Sequence, residues 1–301
     1  MKRHLRTVTA ASLVLMLPLL ASGCSSGSSD ESSPASGASA DPATESLFDE
    51  LPEAVQESGT LTIATDGNYA PIASMDTDGT TLIGLDIDLA EALGTALGVT
   101  VDVQNASFDA IIPGIQGDKY DAGMSWINDT DERREVVDFV DYSRDGTSLV
   151  VLSTLENPPT SLDELCGLTV AVQKGSQGES DAQSKEADCE TAGKPVTVSS
   201  YPDQGTANVA LEGGRAQVTI MDEPTAVDLV ETTDGKFATT GESYGKVYHG
   251  VAVLKDSGLA EPIAKAFDQI IADGTYAEIF EKWGLSDAEI PAPLINGEPI
   301  S

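Results

Sequence analysis

Positive charge is what this 301-residue sequence is shortest of: 16 Lys plus Arg stand against 50 Asp plus Glu. Nucleic acid needs a basic surface, so that class of partner is excluded. Histidine is scarcer still, with His4 near the start and His249 far along the chain. A lone histidine in a strand-like run reads as structural, and neither a zinc site nor a Ser-His-Asp triad can be assembled around it. The GxSxG elbow and the GxxxxGK[ST] phosphate loop are both missing. No metal and no cofactor are expected. No apolar run reaches the roughly 20 residues that cross a bilayer.

The longest apolar run is "ASLVLMLPLLA", and it follows the cationic "MKRHLRTVTA". Its length of about a dozen residues suits a secretion signal. It closes on "LASGC", which resembles the lipobox of bacterial lipoproteins, with Ala21 rather than Leu three places before Cys24. Cys24 would then carry the lipid, after removal of residues 1–23. The next stretch, "SSGSSDESSPASGASADPATES", has almost nothing to bury and reads as a flexible tether over 24–50. Two signals, here more than one acyl chain, make a stable membrane hold. Without Lys2, Arg3 and Arg6 the mature chain keeps 13 cations against 50 acids, a net −37. Such a surface suits a salty or secreted setting, or steering of cationic ligands. In an oxidising compartment Cys166 and Cys189 read as a disulfide.

From Gly59 onward short apolar runs alternate with helix-period segments, the signature of an α/β fold. "TLTIAT" (60–65) is a strand. In the helix that follows, Asp86 reads as the N-cap, Leu89, Leu93, Ala96 and Leu97 share a face, and Gly98 stands at the C-terminal end. "DTDG" (76–79) fits a hairpin turn better than a calcium loop, which lacks its distal Glu. A second cycle begins at "LTVAVQ" (168–173). The runs 146–154 and 246–255 are the candidate crossings between halves.

One stretch has charge of the scarce sign. In "MSWINDTDERREVVDF" (124–139) a helix start, capped by Asp129 with Glu132, sets Arg133 in its first turn. Free N–H groups and a planar guanidinium together suit a carboxylate. The competing reading pairs Arg133 with one of the many acids.

"GTLTIATDGNYAPI", "LIGLDIDLAEALG", "SFDAIIPGIQGDKYDAGMS", "NDTDERREVVDFVDY" and "DGTYAEIFEKWG", in this order, resemble the polar amino-acid family of solute-binding proteins that serve ABC importers. The likeness runs from about 59 to 286. It implies a two-lobed periplasmic-binding-protein-like (type II) fold with two hinge strands, closing on ligand. It also implies lobe 1 from 51–149 and 250–301, with lobe 2 (150–249) inserted. By the same resemblance Arg133 holds the ligand α-carboxylate and Asp222 its α-ammonium. Ser176 and Gln177 form the second-lobe turn that clamps the carboxylate. Tyr69 and Phe108 pack on the ligand, and Asp66 meets its side chain. Arg134 is left for solvent or an acid.

Two positions depart from the family's small hydroxyl residues. Trp126 either roofs the pocket or packs behind it, and Asn128 keeps the ability to hydrogen-bond a ligand, next to Ser125. The expected partners are a small polar amino acid, with the acidic surface and Asp66 favouring a basic or amide side chain, an ABC permease with its ATPase, and the membrane through the lipid. A monomer on the outer face of the cytoplasmic membrane, without enzymatic activity, is expected. The alternatives are an enzyme like the cyclohexadienyl dehydratases, which resemble this family, or a sensor or adhesin module.

Overall fold

The computed structural model describes residues 47–300. The signal segment and Cys24 lie outside the described residues. Among the described residues no helix is long and apolar enough to cross a membrane.

Strands Thr60–Thr65 (β1), Thr100–Asn105 (β2) and Ala122–Asn128 (β3) are joined by helices Leu85–Leu97 (α1) and Phe108–Gln116 (α2). A single turn, Asp131–Arg134 (α3), leads into the long strand Val137–Leu152 (β4). The second cycle has Thr169–Gln173 (β5), Gln177–Gln183 (α4), Thr197–Tyr201 (β6), Gln204–Glu212 (α5) and Val218–Asp222 (β7). Helix Glu223–Thr232 (α6) and the long strand Phe237–Leu254 (β8) return the chain to Ala260–Ala272 (α7) and Thr275–Lys282 (α8).

The strands lie in the order β2-β1-β3-β8-β4-β7-β5-β6. β1 pairs in parallel with β2 and β3, and β5 pairs in parallel with β6 and β7. β4 and β8 run antiparallel beside each other, from Val137 opposite Leu254 to Leu152 opposite Phe237. Each long strand enters two cores. Val140 and Tyr142 of β4 pack with Leu61, Leu89, Leu93, Ile263, Phe267 and Phe280. Leu149 and Val151 of the same strand pack with Val170, Val172, Val218 and Ile220. Two cores joined by two long paired strands make a two-lobed α/β fold.

Local chemistry agrees with the sequence in places and departs in others. Gly98 ends α1 with φ 73°, where a side chain would be strained. "DTDG" is the turn of a small hairpin, closed by Asp76 N–H on the Thr81 carbonyl at 2.8 Å. Asp86, however, is no N-cap: Gly84 holds that position without a side-chain bond. Asp86 points inward instead, accepting from Trp126 N–H at 3.0 Å and from the Tyr142 hydroxyl at 2.7 Å. Trp126 has φ 48°, beside the irregular pairing of β3 with β8 around Val251. Asp86 thus satisfies an N–H that the ladder does not use. The cap at α3 is also Thr130, whose hydroxyl accepts from Arg133 N–H at 3.3 Å, and not Asp129.

Cys166 and Cys189 are bonded, which staples the start of β5 to the helical segment Glu186–Thr191. With a sequence separation of 23 between the two cysteines, the chain-entropy model gives about 3 kcal/mol of stabilisation. The double replacement of Cys166 and Cys189 by Ser should therefore lower the unfolding free energy by about 3 kcal/mol, with a steeper denaturant slope because the unlinked unfolded chain is less compact, in equilibrium urea unfolding.

Candidate functional site

The residues of interest stand where strands end. Asp66 directly follows β1, Asn128 ends β3, Gln173 ends β5 and Asp222 ends β7. Parallel strands that end on one side leave a crevice outside their carboxyl ends, the place where α/β proteins bind ligands. Here the crevice runs between the two lobes.

Tyr69, Phe108, Ser125, Trp126, Asn128, Ser176, Gln177 and Asp222 line one narrow cavity of about 10 Å³, room for about one water. Those are eight of the ten ligand-contact residues expected from the sequence. Gln173, Gln204 and Thr147 line it as well. None of these three had been singled out, and for Gln173 the only signal was its place at a strand end. The walls nearly meet. Tyr69 hydroxyl donates to Asp222 Oδ2 at 2.5 Å, and Asp222 N–H returns a bond to the same hydroxyl at 3.1 Å. Burial, then the Asp222 carboxylate, pushes the Tyr69 phenol well above its ordinary value, so it stays a donor.

Asp66 is buried behind that cavity. Its Oδ1 accepts from the Asn68 N–H and side-chain amide, both at 3.1 Å, and its Oδ2 from Gln173 Nε2 at 2.5 Å. Burial raises its pKa, with these hydrogen bonds opposing. Ser125 Oγ accepts from Asp66 N–H at 3.1 Å, so Ser125 fixes the turn that carries the carboxylate.

Arg133 lines an adjoining cavity with Phe108, Ile127 and Gly175. Phe108 belongs to both spaces, and the guanidinium carbon stands 5.5 Å from its ring centroid. Among the described residues Arg133 makes no ion pair with an acid. Its Nη1 donates to the Asn128 carbonyl at 2.9 Å and its Nη2 to the Gly175 carbonyl at 3.0 Å. Gly175 has φ +76°, and a Cβ there would stand 3.1 Å from Asp109 Cβ. Only glycine therefore presents that carbonyl to Arg133 without strain. Burial lowers the guanidinium pKa, and Asp222, the first charge acting the other way, raises it. The neighbouring Arg134 behaves differently. It forks onto Asp129 at 2.5 and 2.6 Å.

Ser176 caps α4 by accepting from Glu179 N–H at 3.2 Å, and Gln177 Nε2 donates to Asp181 at 2.8 Å. Trp126 does both things open to it: it lines the cavity, yet its ring is packed, stacked on His249 at 4.9 Å and edge-on to Tyr142 at 5.8 Å. An ammonium near Asp222 and a carboxylate near Arg133 would each find an opposite charge in a shielded place, which is what a dipolar solute requires.

A family model described as bacterial extracellular solute-binding proteins, family 3, matches residues 61–286. A relative from Corynebacterium glutamicum, called an arginine-binding protein, is 33% identical over 253 residues, covering 83% of each chain. A solved structure of an ancestral arginine-binding protein bound to arginine superposes with a TM-score of 0.70 at 34% identity, over 75% of this chain and 98% of that one. Another, an ancestral amino-acid-binding protein described as a precursor of cyclohexadienyl dehydratase, gives 0.66 at 28% identity over 79% and 99%.

Proposed function

The chain belongs to the bacterial extracellular solute-binding proteins of family 3, and on that premise we propose that it is a lipid-anchored receptor that captures a polar amino acid between its lobes. It delivers that amino acid to an ABC permease and its ATPase. Cys24 carries the anchor, residues 24–46 form the tether, and the protein works outside the cytoplasmic membrane; the last four residues expected in the tether, Leu47–Glu50, are instead a helical turn with Leu47 and Phe48 packed on the core. The lobes are 51–149 with 250–301, and 150–249. A basic or amide side chain fits best, because the buried Asp66 and Gln173 offer an acceptor and an amide at the far wall. The arginine-binding relatives point the same way.

One observation carries this reading: side chains from the ends of β3, β5 and β7 line one crevice that holds Asp222 and Phe108, with Asp66 of the β1 end bonded to Gln173 behind it and Arg133 against the same Phe108. Arg133 takes the carboxylate, with the α4 turn at Ser176 and Gln177 beside it. Asp222 exchanges its bond from Tyr69 for one from the ligand ammonium. Tyr69, Phe108 and Trp126 wall the ligand from water, while Asn128 and Ser125 shape its floor. Since Tyr69 and Asp222 touch across the crevice, entry needs the lobes to part, and β4 and β8 are the strands on which they turn.

A thermal-shift screen of the standard amino acids is the test. The ligand at a hundredfold excess over its dissociation constant stabilises by about 2.7 kcal/mol, and arginine or glutamine should give the largest shift. Absence of a shift with every amino acid would remove the reading. The dehydratase-like alternative needs an acid or base over a ring-shaped substrate, and prephenate in the same screen should leave the melting temperature where it is.

A further inference from the structure

His249, the one histidine among the described residues, is fully buried in β8, opposite Asn128 of β3 and Ser143 of β4. Its surroundings are unusual for a ring set aside for packing. Nε2 stands 3.3 Å from Asp145 Oδ1 and 3.7 Å from Asp222 Oδ1. The Asn128 amide nitrogen is 3.1 Å from the same Nε2. Asp145 comes from β4, the other long strand, and Asp222 from the end of β7. The group therefore sits where the lobes join, directly under the cavity.

The charges acting on the ring come from every side. Asp145 faces it from β4, Asp222 from β7, and Asp86 acts from α1 at longer range. Glu223 at the start of α6 acts on Asp145, while Arg133 from α3 attracts Asp222 through space. β3 contributes the uncharged Asn128 and the Trp126 indole, whose N–H lies 3.4 Å from Asp145 Oδ1. Among the described residues Nδ1 has no hydrogen-bond partner, so the Nε2 side decides.

Burial opposes the imidazolium, but Asp145 and Asp222 outweigh it and the net shift of His249 is upward. Burial likewise raises Asp145, to about 7. The His249–Asp145 pair thus retains a proton at neutral pH.

We propose that this pair holds a proton beneath Asp222 which an ammonium-bearing ligand displaces, so that capture is coupled to proton release and tightens as pH rises. The proposal rests on Asp222 as the ammonium acceptor. An ammonium at Asp222 adds a second cation a few ångströms from the first. The two repel, and the mobile charge, the proton, leaves. The sign follows from linkage: the bound state holds fewer protons, so affinity climbs with pH between the pair's bound-state and free-state titrations and is level outside that window. His249 and Asp145 are positioning residues here. His249 stands against Asp222 and Asp145 against His249, and neither lines the cavity.

Calorimetric titration of the full chain with L-arginine, then L-glutamine, in buffers of different ionisation enthalpy counts the protons directly. Binding should release a measurable fraction of a proton near pH 7. Affinity should rise at least about threefold from pH 6 to 8, with about tenfold per pH unit as the ceiling for one proton. His249→Gln and Asp145→Asn should each flatten that slope, and a variant that binds with an altered slope supports the coupling even if its affinity differs. Should neither variant fold, the wild-type proton count alone decides. Tight binding with no proton exchange between pH 6 and 8 overturns the coupling while leaving the amino-acid reading intact. No binding of any amino acid at any pH overturns both.

Discussion

Arg133→Ala should weaken binding of the cognate amino acid by about 3–5 kcal/mol, a loss of two to three orders of magnitude or more, read by calorimetric titration. The size follows from what is left behind: a ligand carboxylate held among Phe108, Ile127 and the Asn128 carbonyl without a partner. Arg133→Lys should recover only part of it. A lysine carries the charge but not the two-pronged geometry that now spans the Asn128 and Gly175 carbonyls. Arg134→Ala is the control. Its guanidinium is committed to Asp129, so affinity should stay within about twofold while stability falls by about 1 kcal/mol, as for a partly exposed pair. Equal losses for the two alanine variants would show that general charge, and not the fork at 133, holds the ligand.

The distinction between these adjacent arginines shows how far the sequence could be read. Helical spacing separated Arg133 from Arg134, and five ordered motifs carried the family and with it the fold. The strand-ending position of Asp66 after "TLTIAT" needed only the alternation of short apolar runs, whereas Asn128 and Asp222 came from the resemblance. What escaped depended on contacts distant in sequence. Asp86 has the look of an N-cap because capping is a local signal, whereas its true partners, Trp126 N–H and the Tyr142 hydroxyl, are 40 and 56 residues away. The box of Asp129 and Glu132 failed for the same kind of reason: the ion pair with Arg134 claims Asp129, and Thr130, one residue on, takes the cap. His249 looked like a packing residue because Asp145 is over a hundred residues away in the chain, and only the antiparallel pairing of β4 with β8 brings the two together. Gln173 carries no mark at all beyond its place at the end of a strand.

The ligand-free protein should be more stable in mild acid than in mild base, against the usual expectation for a chain of many carboxylates. Burial pushes Asp86, Asp141 and Asp145 each up to about 7 from 3.8. A carboxyl raised in the folded state favours folding while protonated. Its contribution is fully present below the unfolded value and is lost as pH climbs from about 4 through about 7. His249, also raised, acts in the same direction. Asp109 and Asp273 are lowered, by Lys174 and by Thr275 respectively, so they lose stability only as pH falls below the usual carboxylate range. Between pH 5 and 7 the buried group wins. One net proton is worth about 1.4 kcal/mol per pH unit, hence about 3 kcal/mol over that interval, or on the order of 10 °C in Tm for a domain of this size. Thermal melts at pH 5, 6, 7 and 8 should descend in that order. Asp86→Asn, which retains a polar group facing Trp126 and Tyr142, should make the descent shallower. Melting temperatures that rise with pH would mean that these carboxyls are ionised in the fold, held by charges that outweigh their burial.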